Sequence, residues 1–457
     1  MRRDGLLLSL YLLIFVGLGS AQCIVNNPGG SKINPNRPTD SDVPEARFAP
    51  ISALNGNLPD WLCFTAGYRT RVEGYQGNGF LPNRSDSYLL TRFRLGMLVK
   101  PQSWFQVYTE LQDTDAFFKT PPRTPPYQET WDLRRAYVDI GNVQEGHWGI
   151  RAGRQDLTFE DGRLVGTSYW RNASRGFDAV EAVSNWDWIR ATAFAASQVV
   201  IYDNGLSHHQ PGSNLYGLDA KLNRLAPNAV LEPFLFWRVA PGFTTEQGAA
   251  AHLDEKTIGA RFAGAIRSWD FDTEAARQLG RIGAEPISAW AWLAIGGYTF
   301  NNLPLKTRIF GEYDFASGDG NPKDGVHRTF DQIAPNVHDH LGLADQFAWQ
   351  NLKMIRAGVR IWLRRNWVLA SAWQNYWLAS RTDAFYNSSG SNVARDPKGL
   401  SGTHIAEEYD VQASYRLDRN LEFGAGLGHV LPGTFLAKTG HGAAYTYPYI
   451  LMSYNFF

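Results

Sequence analysis

Sulfur, net charge and long apolar runs are all scarce in this chain of 457 residues, and each shortage narrows what it can be. Two cysteines, Cys23 and Cys63, allow one bridge; it can form in an oxidising compartment, but sequence alone does not place it. Lys and Arg total 44 against 44 Asp and Glu, so the formal net charge is zero. That excludes a uniformly basic or acidic protein and gives no reason to expect a nucleic-acid partner. It leaves room for a strong local field, since clustering rather than the sum creates potential. Beyond Ala21 no stretch can cross a bilayer as a helix, which needs ~20 apolar residues. Catalytic signatures are missing too: there is no G-x-S-x-G elbow, no H-E-x-x-H and no P-loop. The acid pair Glu407-Glu408 cannot flank one glycosidic bond, because adjacent strand residues point to opposite faces. No enzyme, cofactor or resident metal is expected.

What is present begins at the N-terminus. Arg2 and Arg3 precede an apolar run from Leu6 to Leu18 and then Gly19-Ser20-Ala21, the order of a secretory signal peptide. The expected organisation is a signal peptide over 1–21, an irregular periplasmic segment over 22–58, rich in Pro, Asn, Gly and Ser, and a transmembrane barrel over 59–457. Aromatics make up 14% of the chain and Gly reaches 44, while mean hydropathy stays at −0.32. Secreted, aromatic, Gly-rich and without long apolar runs is the profile of a membrane β-barrel, whose strands alternate lipid-facing and lumen-facing residues. A soluble sandwich or propeller shares these averages, so the detailed pattern must decide.

The pattern is a dyad repeat. Leu89, Phe93, Leu95, Met97 and Val99 share one face, and Arg92 and Arg94 the other. Ile355, Ala357, Val359, Ile361 and Leu363 oppose Arg356, Arg360 and Arg364; Tyr409 and Val411 oppose Glu408 and Asp410. About 18 such segments follow one another, an even number in the porin range. Short connections near 100–102, 142–144, 184–185, 225–227, 364–366 and 417–419 alternate with long ones near 114–129, 156–175, 200–214, 239–254, 317–350, 379–403 and 431–443. Short periplasmic turns alternating with long outer loops is how bacterial barrels are built, and sandwiches have no reason to produce it. The expectation is therefore a closed antiparallel barrel in the outer membrane, embedded in its lipid bilayer. The final strand, with Ile450, Met452, Tyr454 and Phe456 alternating, is the kind that outer-membrane assembly machinery recognises.

Two blocks carry a family resemblance. The first runs Arg151-Ala152-Gly153-Arg154-Gln155-Asp156-Leu157, then Gly162-Arg163-Leu164-Val165-Gly166, Trp170-Arg171-Asn172 and Arg175-Gly176-Phe177-Asp178. The second is Glu312-Tyr313-Asp314-Phe315-Ala316-Ser317-Gly318-Asp319, followed by Thr329-Phe330-Asp331-Gln332, Pro335, His338, Gly342, Asp345 and Trp349-Gln350-Asn351. Together they resemble the alginate-export porins. The resemblance implies a pore that passes an anionic polysaccharide outward through an arginine-lined lumen. The alternative on the same fold is a nutrient porin for small anions or sugars.

By alternation, Arg69, Arg71, Arg92, Arg94, Arg135, Arg151, Arg261, Arg308, Arg356 and Arg360 face the lumen, with Glu73, Glu110, Asp139, Glu274, Glu312, Asp314, Glu408 and Asp410. The ten arginines, with Glu110, Glu312 and Asp314, are the candidate substrate-contacting set. A guanidinium grips a carboxylate bidentately and keeps its charge, and rings of such groups set anion selectivity. Roughly half of these arginines are expected to be cross-strand braces instead. Loop 317–350 is long enough to control passage, and is expected to do that rather than to stabilise. Asp319-Gly320-Asn321 is a weak calcium signal, and His338-Asp339-His340 a weak metal one.

Overall fold

The computed structural model describes residues 43–456 apart from 124, 145, 204, 339 and 365. The expected signal peptide, Cys23 and Phe457 lie outside the described residues. Eighteen antiparallel strands form one closed barrel. They are β1 (Leu62–Gln76), β2 (Ser85–Gln102), β3 (Phe105–Phe117), β4 (Glu129–Gly141), β5 (Trp148–Gln155) and β6 (Phe177–Trp186). Next come β7 (Ile189–Val200), β8 (Asn214–Ala226), β9 (Ala229–Thr244), β10 (Ala250–Ile266), β11 (Trp269–Ile282) and β12 (Glu285–Phe300). The last are β13 (Lys306–Ala316), β14 (Leu352–Arg364), β15 (Trp367–Leu378), β16 (His404–Arg416), β17 (Leu421–Pro432) and β18 (Tyr445–Asn455). Each pairs with its sequence neighbour, and β1 returns to β18 with Tyr68 opposite Tyr454 and Val72 opposite Ile450. Closure matters because lipid offers no hydrogen bonds, and every unpaired backbone group there costs several kcal/mol.

The alternation translates directly into facing. Leu95, Met97, Leu111, Ile355, Tyr409 and Val411 stand exposed on the outside, while Arg94, Glu110, Gln112, Arg360, Glu408 and Asp410 are buried within. Leu89, Phe93, Val359 and Ile361 share the outer face by the same two-residue period. Exposed Trp104, Trp148, Trp186, Trp188, Trp269 and Trp367 ring the short-turn end, and Trp131, Trp237 and Trp290 lie toward the other. Aromatic girdles of this kind mark the two membrane interfaces.

Some expected boundaries need correction. The span 239–254 is not a long loop: β9 runs to Thr244 and β10 starts at Ala250. Within that span Pro241-Gly242 forms a β-bulge, where the register shifts between Ala240 and Phe243 and Gly242 takes φ +80°. The turn expected near Ser184-Asn185 lies at Asp187-Trp188, since Trp186 still pairs with Ile189. Likewise β2 continues through Lys100-Pro101-Gln102 across another bulge.

Residues 43–58 cross the short-turn end as a strap with one helical turn, α1 (Pro50–Asn55). The strap bonds both chain ends of the barrel: the Ile51 amide donates to the Phe456 carbonyl (2.9 Å), and Asn55 exchanges two hydrogen bonds with Phe64. Cys63 is disulfide-bonded.

The core sits inside the barrel, not between layers. Phe159, Leu164, Val165, Phe330, Phe347 and Trp349 are fully or nearly buried, and all belong to two long loops folded into the lumen. Apolar loop residues at that depth are shielded from water by the wall they pack on, as with Phe159 stacked on Phe194 of β7 (4.5 Å) and Phe347 on Tyr376 of β15 (3.7 Å).

Candidate pore constriction

The two inward loops are residues 156–176, between β5 and β6, and residues 317–351, between β13 and β14. Each carries one of the two sequence blocks. They are joined to each other by backbone: Val165 and Ala334 form a parallel bridge, the Gly166 amide donates to the Ala334 carbonyl (2.9 Å), Ala334 donates to Leu164 (2.8 Å) and Asn336 to Gly162 (2.8 Å). Arg175 seals the joint by donating to the carbonyls of Gly166 (2.7 Å), Ala334 (2.6 Å) and Pro335 (3.1 Å). Irregular backbone at membrane depth is tolerable only when satisfied in this way.

The walls then hold the joined loops. From β1, Arg69 donates to the carbonyls of Tyr169 (2.9 Å), Trp170 (3.2 Å) and Arg171 (3.1 Å), and Arg71 to Trp170 (2.7 Å). Arg94 of β2 reaches Gln112 (2.7 Å) and Ser174 (2.8 Å). Opposite, Arg163 of the first loop forks onto Glu312 (2.9 Å) and Asp314 (2.5 Å) of β13. The second loop offers amides to acids of β16: Leu343 to Asp410 (3.1 Å) and Ala344 to Glu408 (2.8 Å). At Gly342 the loop comes so close that a Cβ would lie 2.3 Å from the Glu408 carboxylate, and φ is +100°. Loop 317–350 is thus part of the packed interior. The expectation that it controls passage without stabilising is corrected on its second half.

The predicted residues divide three ways. Arg135 with Glu110 (3.0 and 2.5 Å) and Arg151 with Asp139 (2.7 and 2.7 Å) are bidentate cross-strand braces. Asp314 is likewise sealed under Arg163. Arg261 with Asp272 (2.8 and 2.5 Å) and Arg308 with Asp270 (2.8 and 2.5 Å) are braces that also face a cavity. Arg69, Arg92, Arg94, Arg356, Arg360 and Glu312 line that same cavity, and Arg71 lines another.

Several residues escaped the alternation. Arg134 faces inward beside Arg135 because a bulge at Glu110/Leu111 puts two successive side chains on one face; it pairs with Asp156. Arg163, Arg171 and Arg175 are loop residues with no strand phase to read, although the first block contains all three. Burial, with Arg171 and Arg238 nearby, pulls the Arg175 guanidinium down to about 9, which leaves it charged at neutral pH. Burial, with Arg163 beside it, lowers the His340 imidazole to about 3, so it stays neutral and donates from Nε2 to the Asp161 carbonyl (3.0 Å). Among the described residues no three His, Cys, Asp or Glu are placed to hold a metal ion.

Two cavities in the lumen flank the joined loops. The inner one, about 650 Å³, lies toward the short turns and is lined by eight arginines, including Arg163, against Asp161, Asp270, Asp272, Glu312, Asp410 and Glu422. The outer one, about 1100 Å³, lies toward the long loops and is lined by Arg71, Arg171, Arg175 and Arg238 with many amides, hydroxyls and tyrosines. A family model for alginate export matches residues 60–448. The chain belongs to the alginate export family. No curated protein matches it in sequence. Solved structures with the same barrel include OccK11 (OpdR) of Pseudomonas aeruginosa, at 12% identity and TM-score 0.53, covering 91% of this chain and 98% of that one. Acinetobacter baumannii OccAB1 aligns at 10% identity and TM-score 0.58, covering 87% and 97%. Pseudomonas aeruginosa OpdQ gives 10% and 0.57, covering 86% and 97%. This alginate-export family member is an outer-membrane porin, a channel in fold and family.

Proposed function

We propose that this porin passes carboxylate-bearing saccharides, a polyuronate of the alginate type above all, outward past the arginines of β1 and β2. One observation carries the reading. On β10, β13 and β14 the chamber's Arg261, Arg308 and Arg356 are matched by Asp272, Asp270 and Glu312, whereas Arg69 and Arg92 are met by loop carbonyls, Arg92 at 3.4 and 3.5 Å. Carbonyl dipoles hold a guanidinium without cancelling its charge, so that side of the chamber favours an anion. Arg69, Arg92, Arg94, Arg356 and Arg360 are the residues on which substrate carboxylates would act. The protein would reach the outer membrane by a signal peptide cut after Ala21, with the last strand addressing the assembly machinery.

Uptake of small anions or sugars is the second reading, and the joined loops favour it: two chambers flanking the backbone bridges suit a short solute more readily than a continuous chain. Single-channel recording separates the two. Polyuronate added from the inner side should block current at concentrations where a neutral glucan of equal length does not. Equal block by both polymers would sink the anionic reading; block by monomeric uronate alone would favour small-solute uptake.

A further inference from the structure

We propose that Trp170 is the leaf that separates the two chambers and sets what passes between them. Among the described residues it alone lines both. Its indole is held on every side. The Arg71 guanidinium lies 4.0 Å over the ring, and the His338 imidazole stacks at 4.0 Å with planes 7° apart. Two groups at that height cannot share a face, so both faces are covered. Nε1 donates to the Tyr447 hydroxyl (3.0 Å), and Tyr449 meets the ring edge-on at 4.7 Å. The backbone is fixed as well, since Arg69 and Arg71 both bond the Trp170 carbonyl.

The holders come from two places. Arg71, Tyr447 and Tyr449 belong to β1 and β18, so the ring hangs from the wall. His338 belongs to the other inward loop and is tied to Asp345 (3.0 Å). The contact that must part for the chambers to join is therefore Trp170 against His338. An aromatic pair at a narrowing excludes both water and ions until it separates, which is how apolar constrictions gate.

The test is planar-bilayer recording with neutral polyethylene glycols of graded size, on protein shown to be folded by its heat-modifiable gel mobility. Trp170→Ala should raise conductance severalfold and admit larger polymers, with Trp170→Phe near the parent and His338→Ala in between. Tyr127→Ala, which widens only the outer chamber, should leave both readouts unchanged. Anion preference should survive in Trp170→Ala because the arginines remain, so this inference and the anionic reading fail separately. A folded Trp170→Ala protein with parental conductance overturns the proposal, as does an equal rise in Tyr127→Ala. Should Trp170→Ala not assemble, parental conductance and size exclusion in His338→Ala overturn it instead.

Discussion

Two sides of one barrel solve the problem of burying charge in different ways. The wall from β1 to β5 buries cations and anions together: Arg69, Arg71, Arg94, Arg134 and Arg135 with Glu73, Glu110, Glu129, Asp132 and Asp139. The wall from β8 to β11 is acidic, with Asp219, Glu232, Glu255 and Glu274 buried. The first wall matches its arginines with its own carboxylates, as in Arg135–Glu110 and Arg151–Asp139, and with loop carbonyls. The acidic side turns partly to neutral donors: Gln278 serves Glu255 and Thr257 (3.4 and 3.2 Å), and Glu232 accepts the Glu160 amide (3.0 Å) as well as Lys221 (3.1 Å). The lesson is that the field across the lumen comes from how charges are partnered rather than how many there are, since the whole chain sums to zero.

The largest effect expected from disturbing this arrangement lies where the two sides are bridged. Arg163→Met leaves Glu312 and Asp314 facing each other without their shared cation. Removing one partner of a buried ion pair typically costs about 3–5 kcal/mol. The midpoint of urea unfolding in detergent should fall accordingly, and adding Glu312→Gln with Asp314→Asn should recover much of it. A midpoint unchanged in the single variant would mean that the loop is not held there.

Next in size is selectivity. Exchanging Arg69 and Arg92 for Glu should shift the reversal potential under a salt gradient toward cations. The same exchange at Arg135 and Arg151, already matched by carboxylates, should disturb folding more than selectivity. The difference should shrink at high salt, where the screening length falls to ~3 Å at 1 M. Equal shifts from both pairs would refute the distinction between braces and field-setting arginines.

The smallest effect concerns pH. His340 is held neutral in the fold, to about 3, while an unfolded histidine takes its proton near 6.5. Between those values the unfolded state binds more protons, so stability is full above the upper value and declines as pH falls toward the lower. His340→Gln, which keeps a donor for the Asp161 carbonyl, should flatten the drop in thermal midpoint between pH 7 and pH 4. An unaltered slope would place the acid sensitivity elsewhere.

The strand walls were readable because period two is a property of consecutive residues: Leu95 outward and Arg94 inward follow from each other. The family blocks likewise pointed to the two loops that matter. What escaped was whatever interrupts the period. A bulge turned Arg134 inward with Arg135, and another hid strand continuity at Pro241-Gly242. Nor does a lumen-facing assignment distinguish the Arg151–Asp139 brace from the carbonyl-held Arg92, since both alternate identically and differ only in what stands across the sheet. Trp170 carried no signal of its own beyond its place in the first block, because its neighbours Arg71, Tyr447 and His338 are distant in sequence.

The strap over 43–58 and the anchoring of Trp170 share a consequence for biogenesis. The Ile51 amide bonds Phe456, and the Phe48 carbonyl accepts from Tyr454, so the first described residues clasp the last strand. Trp170 is likewise held by β1 and β18, the two strands that become neighbours only when the sheet closes on itself. A nascent barrel still open at that seam therefore lacks both its clasp and its internal partition. Sealing the wall and seating that partition are one event.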